Sequence, residues 1–311
     1  MKQLSHEAFG RARHFLVTQA RPLERALFAH RFAGAAVDGV LAELARFQND
    51  DGGFGHALEP DLRTPSSSAL ATGIGLRLLA ELGCPADHAM VEQAVAYLLS
   101  TFDAQARVWR VVPADTHSYP HAPWWHDEDG SLARVFDDFR VIPRALIVGL
   151  LYKYAVLVPS DWLDAITEET VQYIENVEVL DAGGGSDLEY TVYLAQAQNL
   201  PPRHAERLKA RIREAIPALV VRDPARWDSY CITPLRAVSS PQSLGAELIQ
   251  EELQLHLDYQ IAHQTAEGTW DPTWTWRGAY PEAWAQARLE WRGHLTLKTL
   301  TQLRAFGRTE A

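Results

Sequence analysis

The chain has 311 residues, 47% of them hydrophobic and 22% charged, an ordinary globular composition with ample length for a large core. Its net charge of −11 excludes a generic nucleic-acid or anionic-membrane binder, since the densest basic stretch, Arg203 to Arg213, is broken by Glu206 and reads as the wet face of a helix. Two distant cysteines, Cys84 and Cys231, exclude a disulfide framework and point to a reducing, cytoplasmic setting; residues 1–17 are too polar for a secretory signal, and no apolar run approaches the ~18 residues of a membrane span.

In chain order, residues 1–33 read as N-terminal helices that pack on, or close, the main helical body. A helix then ends at Gln48, and a Gly-, Asp- and Pro-rich loop runs from Asn49 to Ser67. Leu70 to Leu82 is a helix apolar on most sides, capped by Gly83 with Pro85 behind it. Val91, Val95, Leu98 and Phe102 form the stripe of an amphipathic helix, which a long segment from Asp103 to Arg140 follows. Pro143 to Val156 is apolar all round, and Leu163, Ile166, Thr170 and Ile174 are again a stripe. A linker from Glu178 to Ser186 includes Gly183-Gly184-Gly185, which reads as a turn because no strand precedes it and no Lys-Ser/Thr follows. Leu188 to Ala197 is apolar; Leu208, Ile212, Ala215 and Leu219 are a stripe. Further linkers run from Arg222 to Ile232 and from Ser239 to Ser243. Leu248, Leu255 and Tyr259 mark one more amphipathic helix, and after a linker from Thr265 to about Arg288 comes an apolar helix from Leu295 to Phe306.

Half-wet and fully apolar helices thus alternate. A helix apolar all round is buried on all sides. The order predicts an all-α protein with two concentric layers, an α/α toroid of five or six helical hairpins forming a single domain over 1–311. An irregular helical bundle is the competing arrangement. Linkers from apolar to amphipathic helices are short and those in the other sense are long, so the long ones are expected to share one rim, where binding loops often lie.

One motif recurs. Gln48-Asn49-Asp50-Asp51-Gly52-Gly53-Phe54 aligns with Gln264-Thr265-Ala266-Glu267-Gly268-Thr269-Trp270, each after an amphipathic helix and before a loop and an apolar helix. The second copy, with Tyr259 upstream, resembles the QW repeat of the terpene cyclase and protein prenyltransferase superfamily, of squalene–hopene cyclase type; traces remain near Trp109 and Trp227. The resemblance implies that the glutamine ties helix ends, the glycine permits a tight exit and the aromatic packs between hairpins, so these residues are structural. The family's D-x-D-D and D-D-x-x-D motifs are absent; Asp137-Asp138 is the nearest pair.

Several groups carry possible chemistry. Glu59, Asp61 and Arg63 surround Pro60 in the first long loop and suit either a helix-capping Asp beside an Arg or an acid with a tuning partner. His117, His121, Trp124, Trp125 and His126 make the second long loop the densest cluster; they suit a pocket wall or a packed aromatic loop, and their spacing fits no metal template. Trp274 and Trp276 form another aromatic wall. Trp227, Asp228 and Tyr230 enter one segment. Protein prenyltransferase β-subunits hold zinc through an Asp, a nearby Cys and a later His, which the resemblance maps to Asp228, Cys231 and His294, with two residues between Asp and Cys where the family has one. No cofactor or metal is expected.

The resulting expectation is a toroid with an aromatic-lined central cavity for a small molecule, an isoprenoid or another hydrophobic compound, with Asp61 and Asp228 as candidate catalytic groups. Glu59, Arg63, His117, His121, Trp124, Trp125, His126, Asp138, Trp227, Tyr230, Trp274 and Trp276 are candidate ligand contacts. The alternatives are a carbohydrate-active α/α barrel working through rim carboxylates and a non-catalytic toroid that binds another protein.

Overall fold

The computed structural model describes residues 1–127, 130–132 and 139–310. It is mostly helical, as the periodicity predicts. The helices are α1 (His6–Thr18), α2 (Pro22–Ala33), α3 (Asp38–Ala45), α4 (Ala69–Glu81), α5 (Ala89–Ser100), α6 (Arg144–Lys153), α7 (Ser160–Asn176), α8 (Ala182–Ala195), α9 (Pro202–Leu219), α10 (Pro234–Ala237), α11 (Gln250–Ala262) and α12 (Pro281–Ala305). Among the described residues one ladder occurs, a two-residue antiparallel pair of β1 (Phe102–Asp103) and β2 (Val108–Trp109). No helix among them is long and apolar enough to cross a membrane.

Local chemistry sets the helix ends. Ser5 Oγ accepts the Ala8 N–H at 3.2 Å to open α1, and Ser68 Oγ accepts the Ala71 N–H at 3.0 Å to open α4. Pro22 and Pro281 occupy first-turn positions of α2 and α12, where their missing N–H is no loss.

The chain divides into two compact units. One comprises residues 44–215. Its centre is α6, in which every residue from Arg144 to Tyr152 is buried, packed against α4, α7 and α8. The amphipathic neighbours present the expected stripes: Val91, Val95 and Leu98 of α5, and Leu163, Ile166, Thr170 and Ile174 of α7, are all buried. Arg144 is the one charge in the buried run of α6. Its guanidinium donates to Thr170 Oγ1 at 2.8 Å, Arg107 O at 3.0 Å and Glu169 Oε2 at 3.1 Å. Burial lowers its pKa to about 10.

The other unit comprises residues 1–43 and 216–311. Here α1 packs on α2 and α12, and α10 on α11. Leu4 pairs with Thr309 in a parallel bridge, and Arg308 donates to Lys2 O at 2.7 Å and pairs with Asp258, which joins the two chain ends.

Several local expectations are corrected. Gly183, Gly184 and Gly185 lie inside α8, not in a turn, so the linker before it is shorter than the composition implied. Helix α12 begins at Pro281, well ahead of Leu295; the signal was Pro281-Glu282, a favourable first turn, masked by the aromatic run around it. Leu255 is 54% exposed, and α11 instead buries Leu253, His256 and Leu257. A histidine on an apolar stripe does not read as core from hydropathy alone.

Candidate functional site

The first long loop starts from the turn after α3. Gln48 Nε2 donates to Gly52 O at 2.9 Å and to Met90 O in the first turn of α5 at 3.1 Å. Asn49 Nδ2 then bonds Pro65 O at 3.0 Å and Ser67 Oγ at 2.9 Å, so the loop closes on itself. Phe54 is fully buried, and residues 57–62 run through the interior. Within them Leu62 N–H donates to Glu59 O at 3.1 Å and Arg63 Nη1 to Pro60 O at 3.3 Å, a turn that leaves Asp61 2% and Glu59 8% exposed. Asp61 is not the cap of α4, a role that Ser68 takes.

The second long loop is bonded to the first. Leu62 and His121 form an antiparallel bridge, with Ala122 N–H donating to Asp61 O at 2.8 Å and Arg63 N–H to Pro120 O at 3.1 Å. Asp115 adds side-chain ties, accepting from Ser66 Oγ at 2.6 Å and Thr64 Oγ1 at 3.3 Å. These two loops are therefore bonded to each other, with residues 61–63 of the first against residues 120–122 of the second; the first carries Glu59, Asp61 and Arg63, and the second His117, His121, Trp124, Trp125 and His126. Trp125 is buried and Trp124 half-buried.

The histidines converge most closely. Each offers a ligand-type nitrogen within 4.8 Å of the other two. His121 Nε2 lies 3.2 Å from His126 Nδ1, the two rings nearly parallel at 6°, and the His117 ring stands at 76° to both. His121 Nδ1 is 2.7 Å from Tyr119 O, so that nitrogen carries the proton and Nε2 the lone pair. Burial pushes the His121 pKa down, and the neighbouring imidazoles push the same way. Beside the two loops an open depression of about 400 Å³ is lined by Ser67, Tyr97, Asp103, Arg110 and Pro113, none of them a candidate named from the sequence.

In the unit of residues 1–43 and 216–311 the remaining candidates have mostly packing roles. Trp227 is buried, donates Nε1–H to Val221 O at 2.7 Å and stands edge-on to His256 and Tyr259. Trp276 is fully buried against Trp284. Asp228 accepts the Tyr259 hydroxyl; burial and that carboxylate both raise the phenol's pKa. Tyr230 is half exposed, with the Arg236 guanidinium 4.8 Å from its ring centroid and Trp274 edge-on at 5.8 Å. Cys231 Sγ points at Arg226 O, 3.5 Å away, and His294 lies beside Trp291. Asp228, Cys231 and His294 do not form a convergent ligand set; among the described residues the three loop histidines are the group that does. Asp138 lies outside the described residues.

No model of a known protein family, no curated protein and no solved structure matches the chain.

Proposed function

We propose that the chain is a small-molecule enzyme of α/α-toroid architecture, similar in plan to the terpene cyclases and protein prenyltransferases, whose chemistry is acid–base work in the layer of the two long loops. The toroid is supported by the equivalent turns at Gln48 and Gln264. In the first, the next amphipathic helix, α5, receives the glutamine; in the second, the N-terminal helix α1 does so through Ala8 O at 3.0 Å, as ring closure requires. The observation that carries the function is the Leu62–His121 bridge, which joins the loop of two buried carboxylates, Glu59 and Asp61, to the loop of three clustered histidines. Buried carboxylates and imidazoles are the groups whose pKa values a protein tunes for proton transfer. Asp61 is the proton donor or acceptor, and Glu59 its tuning partner.

Trp227 and Trp276 are committed to packing, which leaves fewer aromatic faces to stack a sugar and disfavours the carbohydrate-active reading. A substrate with a polar reacting centre fits this loop layer better than a wholly apolar one. The test is mass spectrometry of small molecules that co-purify with the chain, followed by thermal-shift titration of what is found. Wild-type protein is expected to carry and be stabilised by a compound that Asp61→Asn and Glu59→Gln bind at least about tenfold less well, as loss of a charged hydrogen-bond partner entails. Binding unaffected by either substitution overturns the assignment.

A further inference from the structure

We propose that His117, His121 and His126 form a binding site for a divalent transition-metal ion, zinc above all, with three imidazole ligands and an open fourth position. The nitrogens already stand close to the required geometry. Zinc–imidazole bonds of about 2.0–2.1 Å at tetrahedral angles place ligand nitrogens about 3.3 Å apart. His121 Nε2 and His126 Nδ1 are 3.2 Å apart, and one ring nitrogen from each of the three histidines lies within 4.8 Å of one from each of the others. His117 and His126 are exposed, so their rings have room to turn toward the buried His121 when an ion binds.

The backbone holds the set in place. His117 sits in a short 3-10 turn, Thr116–Ser118, and His126 caps another, Pro123–Trp125. Between them His121 is buried and pinned by its bridge to Leu62. The outer partner is present too. The His121 Nδ1–H donates to Tyr119 O at 2.7 Å, which fixes the tautomer and leaves the Nε2 lone pair facing His126 Nδ1; metal-bound histidines almost always have such a partner. Imidazole sets favour zinc, copper, iron and nickel over magnesium and calcium, which take oxygen ligands. Three protein ligands with an open position are the pattern of sites that bind water or substrate.

The site goes beyond the proposed acid–base function and stands apart from it, since a metal that only staples the loop would use the same three nitrogens. The experiment uses the full chain, stripped with a chelator and dialysed. Zinc is titrated calorimetrically, and cobalt(II) is added in parallel to read its visible absorption bands. Wild type is expected to bind one zinc per chain and to give the intense cobalt spectrum of a tetrahedral site. His117→Ala and His126→Ala, both at exposed positions, are expected to lower zinc affinity at least tenfold and weaken the cobalt bands, with metal-free circular dichroism spectra unchanged. His121→Ala is expected to do the same; should its burial prevent folding, the other two variants carry the test. Failure of the wild type to bind zinc, or equal binding by His117→Ala and His126→Ala, overturns the site. A chain that binds zinc but no small molecule retains the metal site and loses the proposed enzyme.

Discussion

Gln48 and Gln264 make the same pair of hydrogen bonds. Each side-chain amide donates to the carbonyl four residues on, Gly52 O at 2.9 Å and Gly268 O at 3.1 Å, and to a first-turn carbonyl of another helix, Met90 O and Ala8 O. The turns match further: Asn49 N–H bonds Gly53 O and Thr265 N–H bonds Thr269 O, both at 2.9 Å, while Phe54 N–H meets Thr72 Oγ1 and Trp270 N–H meets Thr296 Oγ1. Gln48→Ala and Gln264→Ala each remove a donor shared by two carbonyls, and each is expected to cost about 1–2 kcal/mol in urea unfolding. The glutamates Gln48→Glu and Gln264→Glu, which cannot donate, are expected to cost at least as much.

The glycines of these turns are more demanding. Gly52 and Gly268 have φ of 84° and 86°, and an added Cβ would meet backbone at 2.5 Å, Gln93 O in one case and Arg11 C in the other. Gly34 has φ of 69° with nothing within 4 Å. Gly34→Ala is expected to cost about 1 kcal/mol, the ordinary left-handed penalty. Gly52→Ala and Gly268→Ala are expected to cost well above about 2 kcal/mol, because backbone must move. Equal unfolding midpoints for the three variants would contradict this.

His256 predicts acid lability. Burial lowers its pKa from 6.5 to about 3, and it faces Trp227, Tyr259 and Gln260, none of which supplies a charge to hold a proton. Between those values the unfolded chain binds a proton that the folded chain refuses, so stability present above pH 6.5 is lost as pH falls toward 3. The slope from this residue approaches about 1.4 kcal/mol per pH unit. His256→Gln is expected to flatten the stability profile between about pH 6.5 and 4.5 by most of that slope. His121 and His204, lowered in the same sense by burial, leave a residual dependence.

Arg144 is expected to be worth more than its pairing with Glu169. Arg144→Met leaves Glu169, 41% exposed, still paired with Arg107 at 2.5 Å, but removes donors from Thr170 Oγ1 and Arg107 O. A loss of about 2–3 kcal/mol is expected on thermal or denaturant unfolding. Arg144→Lys keeps the charge and not the planar fork, and is expected to recover less than half of it.

Asp115 ties the two long loops together through Ser66 and Thr64. Asp115→Ala is expected to cost about 1–2 kcal/mol and, more tellingly, to speed amide exchange of Ala122, whose N–H is bonded to Asp61 O across the junction. Unchanged exchange there would mean that the bridge at Leu62 and His121 holds without the side-chain ties.

What the sequence determined by itself was everything that depends on a residue and its near neighbours. The stripes of α5 and α7, the burial of α6 on all sides, the glutamine–glycine–aromatic turns and the two long loops follow from spacing and backbone chemistry, because burial at helical period and positive φ are local properties. The tertiary structure decided the rest. It wound Gly183 to Gly185 into α8 against their weak helix propensity, and turned His256 inward while Leu255 faced water. It also paired Leu62 with His121, a contact between distant segments for which no local pattern exists. That pairing joins the loop of the carboxylates to the loop of the histidines, and the turns flanking His121 converge three imidazoles whose spacing in the chain matches no ligand template. Convergence of side chains from a loop is set by where its backbone is anchored, and those anchors lie on another part of the chain.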